Sequence, residues 1–450
     1  MNLAPLAPLY ERPGPWASVY VDASAADQAP NGRRALLGRQ VCDDLAAQGA
    51  DEATCKAVRG ALDAYAADGA DGASGSRGPG GNGGSAPGGS GGLAIFATEG
   101  EVVLEPPLTL APAAETAVSW GRLPHVAPLL ELAPPEPRCL VAYIDRIGAD
   151  FELRTPTGRG RPLGSVDGED WPVHRTATSE WDERHFQLSV ENTWEQNARN
   201  TADALTAKVA ETGADLVLLA GDDRERRTVR VHLPRGLKAA VVESPHGGRA
   251  PGADSRLLDE DVAEAMRAYA EDRTAEELDR FRAGTAASGG RADAAEGVPA
   301  LVEAAREHRI GTLFLQPDGS DANREVWAGA APDQLAMRRT DTRYLGAPEP
   351  FSARADDALI RAATMTGAEV VLVRPAPDER GDGIGEPAPD RAEDEAEDDE
   401  AVRAERERAR RLKGPTGGLG ALLRWPYAAP GQEEAASAPD TGTSAAGGAA

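Results

Sequence analysis

Short apolar runs that read as strands, separated by stretches of helical spacing, constrain this chain more than any other feature. Residues 16–22 (WASVYVD), 139–145 (CLVAYID), 216–220, 239–242, 312–316, 369–374 (EVVLVR) and 418–424 (GLGALLR) are too short for core helices. Between them, residues 32–47, 51–66, 183–211, 224–232, 259–282, 298–307 and 355–366 read as helices, with Asp51 placed to cap the second. Residues 93–97 and 101–104 flank Glu99-Gly100 as a hairpin, and 148–154 follow the 139–145 strand as its hairpin partner. This order of elements indicates an α/β fold of mixed sheets with helices against their faces.

Three segments lack the apolar residues to build a core. Residues 69–92 are nearly all Gly, Ser, Pro, Ala and Asp, and 376–413 run from Pro-rich to acidic to Arg-rich. The tail after Pro426 is mostly Ala, Gly, Ser and Thr. Pro134, Pro135 and Pro137 mark a boundary. The expected domains are therefore 1–136 with a flexible insertion at 69–92, a central 137–250, and a C-terminal 251–426. The last opens on a linker helix and carries an acidic insertion at 376–413; 427–450 form a disordered tail. A length of 450 residues suits two or three domains.

Charge narrows the partners. Asp and Glu number 74 against 48 Lys and Arg, a net charge of −26. That balance opposes sequence-independent nucleic-acid binding, which depends on cations neutralising phosphates, so DNA is not an expected partner. Much of the acid lies in 378–407, however, and a locally basic surface can persist within an acidic whole. Cys42, Cys55 and Cys139 form no CxxC pattern, which fits reduced thiols in a cytoplasmic protein. No apolar run approaches the ~20 residues of a membrane span, and prolines at 5, 8, 13 and 15 break the start, so neither a membrane nor a signal peptide is expected.

The most informative stretch is 172–197, PVHRTATSEWDERHFQLSVENTWEQN. Together with Ala142-Tyr143-Ile144-Asp145, Gly148-Ala149, Ala17-Ser18-Val19-Tyr20 and Gly420-Ala421-Leu422-Leu423-Arg424, it resembles the bacterial branch of the archaeo-eukaryotic peptide chain release factor family. The likeness covers most of the chain outside the three core-poor segments. It implies three α/β domains: an N-terminal one near the decoding centre, a ribonuclease-H-like middle one reaching the peptidyl-transferase centre, and a last one resembling kink-turn-binding ribosomal proteins. It implies a tRNA-shaped occupant of the ribosomal A site, contacting 16S and 23S rRNA. Within the family the chain is similar to hibernation factors, where elongation factor Tu is a known kind of partner.

In termination factors of that family a Gly-Gly-Gln loop enters the catalytic centre, its glycines taking backbone angles closed to other residues. The corresponding loop here, 174–187, contains no glycine, and the pairs Gly247-Gly248 and Gly289-Gly290 are not followed by Gln. No catalytic residue is therefore assigned. Within the loop, His174, His185 and Glu180 or Glu183 have acid–base chemistry but also suit an exposed loop and helix start. Trp181 either stacks on a base or pins the loop to its own domain. Arg175 and Arg184 are candidates for phosphate contacts, and His174, His185 and Gln187, which closes the loop, are further candidates for rRNA contact. Phe186, Val190, Trp194 and Asn197 share one helix face and read as core, whereas Glu191 and Glu195 read as a solvated face.

Arg224, Arg226, Arg227 and Arg230 form a basic cluster interleaved with Asp222, Asp223 and Glu225, the next candidates for rRNA contact. Arg33 and Arg34 are weaker ones. Residues 414–420 lack the Gly-Lys-Ser/Thr ending of a phosphate loop, no Gly-x-Ser-x-Gly appears, and no metal or cofactor is expected. The leading expectation is a non-catalytic ribosome-binding factor. The alternatives are a peptidyl-tRNA hydrolase with a replacement residue in the loop, and an adaptor that has left the ribosome.

Overall fold

The computed structural model describes residues 1–22, 31–74, 91–133, 137–154, 160–168, 180–249, 255–286, 291–374, 403 and 407–428. Most of the three core-poor segments therefore lies outside the described residues. The chain divides into two compact units: Met1–Asp71, Gly91–Ala133 and Thr274–Ala450 form the first, and Gly72–Ser90 with Pro134–Arg273 the second.

The first unit begins with a short 3-10 turn at Ala4–Leu9 and strand β1 (Trp16–Asp22). Helices α1 (Asn31–Ala47) and α2 (Glu52–Ser74) follow, then β2 (Gly92–Thr98), β3 (Glu101–Leu104), β4 (Pro107–Leu108), β5 (Thr116–Gly121) and α3 (Ala127–Leu132). Asp51 caps α2 as expected: its carboxylate accepts from the Thr54 amide at 2.8 Å and from the Thr54 hydroxyl at 2.7 Å. These bonds hold the Asp51 carboxyl below its usual range. The hairpin turn at Glu99-Gly100 has φ of 52° and 78°, the double positive geometry that matches strand twist. β1 lies between β2 and β5, antiparallel to both.

Both faces of β1 are covered, which explains its nearly continuous apolar sequence. Ala17, Val19 and Val21 face a cluster with Val41, Leu45 and Val58 of α1 and α2. Trp16 and Tyr20, on the alternate face, join a larger core that also contains Leu301, Leu359, Ile360 and Leu315 from the C-terminal part of the chain. The N-terminal sheet and the C-terminal elements thus bury apolar surface against one another within one unit.

The second unit holds β6 (Cys139–Ile144), β7 (Gly148–Arg154), β8 (Arg161–Asp167), α4 (Glu180–Thr212), β9 (Leu216–Gly221), α5 (Asp223–His232) and β10 (Ala240–Ser244). Its sheet order is β10-β9-β6-β7-β8, with β10, β9 and β6 parallel and the β6-β7-β8 meander antiparallel. Leu140, Ala142 and Ile144 pack with Ala198, Ala202, Leu205 and Val209, spaced by four, three and four along α4. Cys139 and Val141 face Leu258, Val262 and Met266 of α6 (Ser255–Thr285), whose first part belongs to this unit. β8 occupies a stretch whose composition reads as a polar connection. As the edge strand it pairs only with β7 and buries little, so it carries no apolar alternation.

The end of α6 lies in the first unit, where Leu278 and Phe281 pack with Ala294, Phe314 and Val373. The remaining elements are β11 (Arg291–Glu296), α7 (Val298–Arg306), β12 (Ile310–Leu315), β13 (Glu325–Ala328), β14 (Leu335–Ala336), β15 (Phe351–Arg354), α8 (Ala355–Met365), β16 (Glu369–Leu372) and β17 (Leu419–Ala428). They form a four-stranded sheet, β11-β17-β12-β16, and a three-stranded one, β14-β13-β15. β17 sits between β11 and β12, so the chain returns after the acidic segment to complete the sheet. The α/β class is as the sequence indicates.

Candidate nucleic-acid interface

The basic cluster expected from sequence sits on α5 of the second unit. Asp222 caps this helix, accepting from the Arg224 amide at 3.2 Å. Val229 is buried in the unit's core, and a residue three positions earlier shares its face. That residue is Arg226, which is only 6% exposed. Its guanidinium pairs with Asp223 at 3.3 Å and Glu243 at 3.8 Å. Arg226 is therefore an internal cation, and its reading as an rRNA contact is corrected by burial.

Arg224 and Arg227 point outward, with side chains 64% and 72% exposed. Arg224 lies over the Trp194 ring of α4, 5.5 Å from its centre, and Arg146 of the β6–β7 turn lies over the same ring at 4.7 Å. Trp194 is half-buried rather than core, flanked by two guanidinium groups, an arrangement favoured by the ring's negative face. Arg146 is fixed from two sides: its Nε donates to Glu225 at 3.0 Å, and its carbonyl accepts from buried Asn197 at 3.0 Å. The turn beneath it is set by Asp145, whose carboxylate accepts from the Ile147 and Gly148 amides, each at 2.8 Å.

The outward arginines are not free charges. Arg227 pairs with Asp223, Arg230 with Glu243 and Arg224 with Glu191. At such exposure an ion pair contributes only about 0–1 kcal/mol, so a phosphate can replace the carboxylate at small cost. The face can offer guanidinium groups and one ring edge to a polyanion, but its resting charge is balanced. On the same unit, Arg249 bridges Asp145, Asp150 and Asp167 at 3.2, 2.9 and 2.7 Å, tying the turn and two strands together. Those carboxylates, Asp150 foremost, raise the Arg249 pKa.

The other loop candidates are less accessible to description. His174 and Arg175 lie outside the described residues. Trp181, Arg184, His185 and Gln187 fall on the first turns of α4, with their side chains outside the described residues. Arg33 and Arg34 occupy the start of α1 in the same way.

Sequence reasoning missed a polar cluster in the first unit. His125, Asp356 and Asp357 bring potential ligand atoms within 4.8 Å of one another. The geometry favours an internal lock over a metal centre. Arg354 donates to both oxygens of Asp356 at 3.0 and 2.6 Å, and the Asp357 amide adds a third bond at 2.8 Å. His125 Nδ1 lies 3.0 Å from Asp357 Oδ1, while the Tyr20 hydroxyl donates to the His125 carbonyl and the His125 amide to Ser18. Burial raises Asp357 to about 6, against the lowering effect of His125. The cluster ties β1 and the β5–α3 connection to the start of α8 inside one core. Its partners are 232 positions apart, which no local pattern reveals.

The central region defines a class. The sequence model for bacterial archaeo-eukaryotic release factor family 2 matches residues 138–287. An uncharacterized protein of Mycobacterium tuberculosis is 30% identical over 285 residues, which cover 62% of this chain and 73% of the relative. The chain belongs to the bacterial archaeo-eukaryotic release factor family. Among solved structures, an archaeal translation termination factor is 16% identical with a TM-score of 0.20, covering 94% of this chain and 97% of that one. A ribosome-bound archaeal Pelota is 15% identical with a TM-score of 0.35, covering 94% of both chains. Among the described residues, no helix is long and apolar enough to cross a membrane.

Proposed function

We propose that this protein binds idle or stalled ribosomes, occupying the A site and peptidyl-transferase centre without hydrolysing peptidyl-tRNA. One combination supports the reading: the central region matches a release factor family, yet the sequence contains no Gly-Gly-Gln triplet. Without those glycines the 174–187 segment, which the sequence suggests as a loop but which is helical from Glu180 onward, lacks the backbone freedom the family's hydrolytic mechanism uses. It fills space near the reacting ester rather than positioning a water there.

On this reading the N-terminal part approaches 16S rRNA at the decoding site and the central part approaches 23S rRNA. The contacts proposed for the latter are His174, Arg175, Trp181, Arg184, His185 and Gln187, together with Arg224 and Arg227. Steric exclusion of tRNA then protects a resting ribosome, a hibernation role in a cytoplasmic stress response. Delivery by elongation factor Tu belongs to the same proposal.

Sedimentation through sucrose gradients tests it. The protein is expected to travel with 70S ribosomes at low and moderate salt. A chain that stays at the top of the gradient under both conditions rejects the reading. Release of formyl-methionine from ribosomes carrying formyl-methionyl-tRNA would instead favour a peptidyl-tRNA hydrolase, and a pull-down dominated by non-ribosomal proteins would favour an adaptor.

A further inference from the structure

A second basic surface lies in the first unit, and its charges are not compensated. The connection from β14 to β15 reads Met337-Arg338-Arg339-Thr340-Asp341-Thr342-Arg343-Tyr344, with three arginines to one carboxylate in a chain of net charge −26. The side chains of Arg338 and Arg343 are exposed and make no ion pair among the described residues. Arg339 lies over the Trp327 ring of β13, 5.4 Å from its centre. Tyr344 is 91% exposed, an aromatic ring left almost entirely in water.

The turn that carries these groups is internally braced. Thr342 is fully buried, its hydroxyl donating to the Arg339 carbonyl at 2.6 Å. Backbone bonds run from Asp341 to Arg338, Tyr344 to Asp341, Leu345 to Thr342 and Ala347 to Thr342, at 3.1 to 3.2 Å. Gln334 closes the base by donating to the Leu345 carbonyl at 3.0 Å. The arginines and the ring are therefore held out together by an ordered frame, which lowers the entropy lost on binding.

We propose that residues 338–344 form an RNA-contact surface, with Arg338, Arg339 and Arg343 on phosphates and the Tyr344 ring stacked on an unpaired base. Free guanidinium groups on an acidic protein concentrate the local attraction for a polyanion. An adjacent exposed ring supplies the stacking platform that single-stranded nucleic acid uses. An acidic peptide would satisfy the arginines but leave the ring in water. The surface goes beyond the ribosome reading, because it requires only an unpaired RNA segment. It also differs from the α5 face, where each outward arginine already has a carboxylate.

Fluorescence anisotropy of the full chain with a 12-nucleotide oligouridylate, across 50 to 200 mM salt, tests the assignment. The Arg338→Gln/Arg343→Gln variant is expected to bind about 10-fold more weakly and to lose about 1.4 from the log–log salt slope, at roughly 0.7 per phosphate. Tyr344→Ala is expected to lose about 10-fold with its slope unchanged. Ultraviolet cross-linking of the wild type should mark the peptide containing Tyr344. The proposal is overturned by no binding of the wild type, by variants that match it in affinity and slope, or by cross-links confined to other peptides. It is likewise overturned if polyglutamate displaces the RNA more strongly than unlabelled oligouridylate does. Ribosome sedimentation run in parallel separates the two readings, since retained sedimentation with no oligouridylate binding overturns this one alone.

Discussion

Replacing Asp357 by Asn converts the buried lock of the first unit into a measurable pH dependence. Asp357 is 4% exposed, and burial raises its carboxyl from 3.8 to about 6 despite the His125 contact at 3.0 Å. Between these values the unfolded chain has released the proton while the folded one still holds it. The folded state then binds more protons, so this group's stability contribution is full below pH 3.8 and is lost as pH rises through 6. A difference of about 2 pKa units corresponds to roughly 3 kcal/mol in all, of which about 1 kcal/mol falls between pH 5 and pH 7. Asn cannot ionise and keeps a similar shape, so Asp357→Asn should gain about 1 kcal/mol relative to wild type over that interval. Urea unfolding at both pH values, read by protease protection of peptides from β1 and α8, follows the correct unit. Parallel profiles for the two proteins would refute the reasoning.

Two further outcomes follow from geometry. Trp194→Ala removes the ring that Arg146 and Arg224 both lie over, and loss of these two cation–ring contacts is expected to weaken ribosome binding by about 10-fold in a sedimentation titration; unchanged binding would remove the α5 face from the interface. Burial pushes the Cys139 thiol up to about 12, so it should resist iodoacetamide at pH 8 in native protein and react once urea exposes it; rapid native alkylation at Cys139 would contradict its placement in β6.

The elements most legible in the sequence are those whose burial is patterned locally. β1, β6 and β9 announce themselves because both faces are covered, and α4 because Ala198, Ala202, Leu205 and Val209 repeat at helical spacing. β8 and β11 were hidden for the opposite reason: RPLGSVD is a lightly buried edge strand, and RADAAE packs through alanines. The shared core of the N- and C-terminal parts depends on contacts such as Tyr20 with the α8 region, which no window of sequence contains.

The candidate site was partly readable. The Arg cluster of α5 was visible as composition, and the position of Arg226 three residues before Val229 already carried the signal of its burial. Trp194 was read as core because its spacing matches core positions. In the fold it is half-buried, with Arg146 of the β6–β7 turn, 48 residues earlier in the chain, lying over its ring. Residues 338–344 hold three arginines to one carboxylate, but whether an arginine is paired is a property of the fold.

The central claim is occupancy of the A site without peptide release, and a cryo-electron microscopy map of 70S ribosomes purified with the bound protein examines it most directly. Density for the chain is expected in the A site, with residues 174–187 at the peptidyl-transferase centre and any P-site peptidyl-tRNA intact. A map with the protein bound elsewhere, or loss of the peptide from ribosomes loaded with peptidyl-tRNA before the protein binds, would contradict the account.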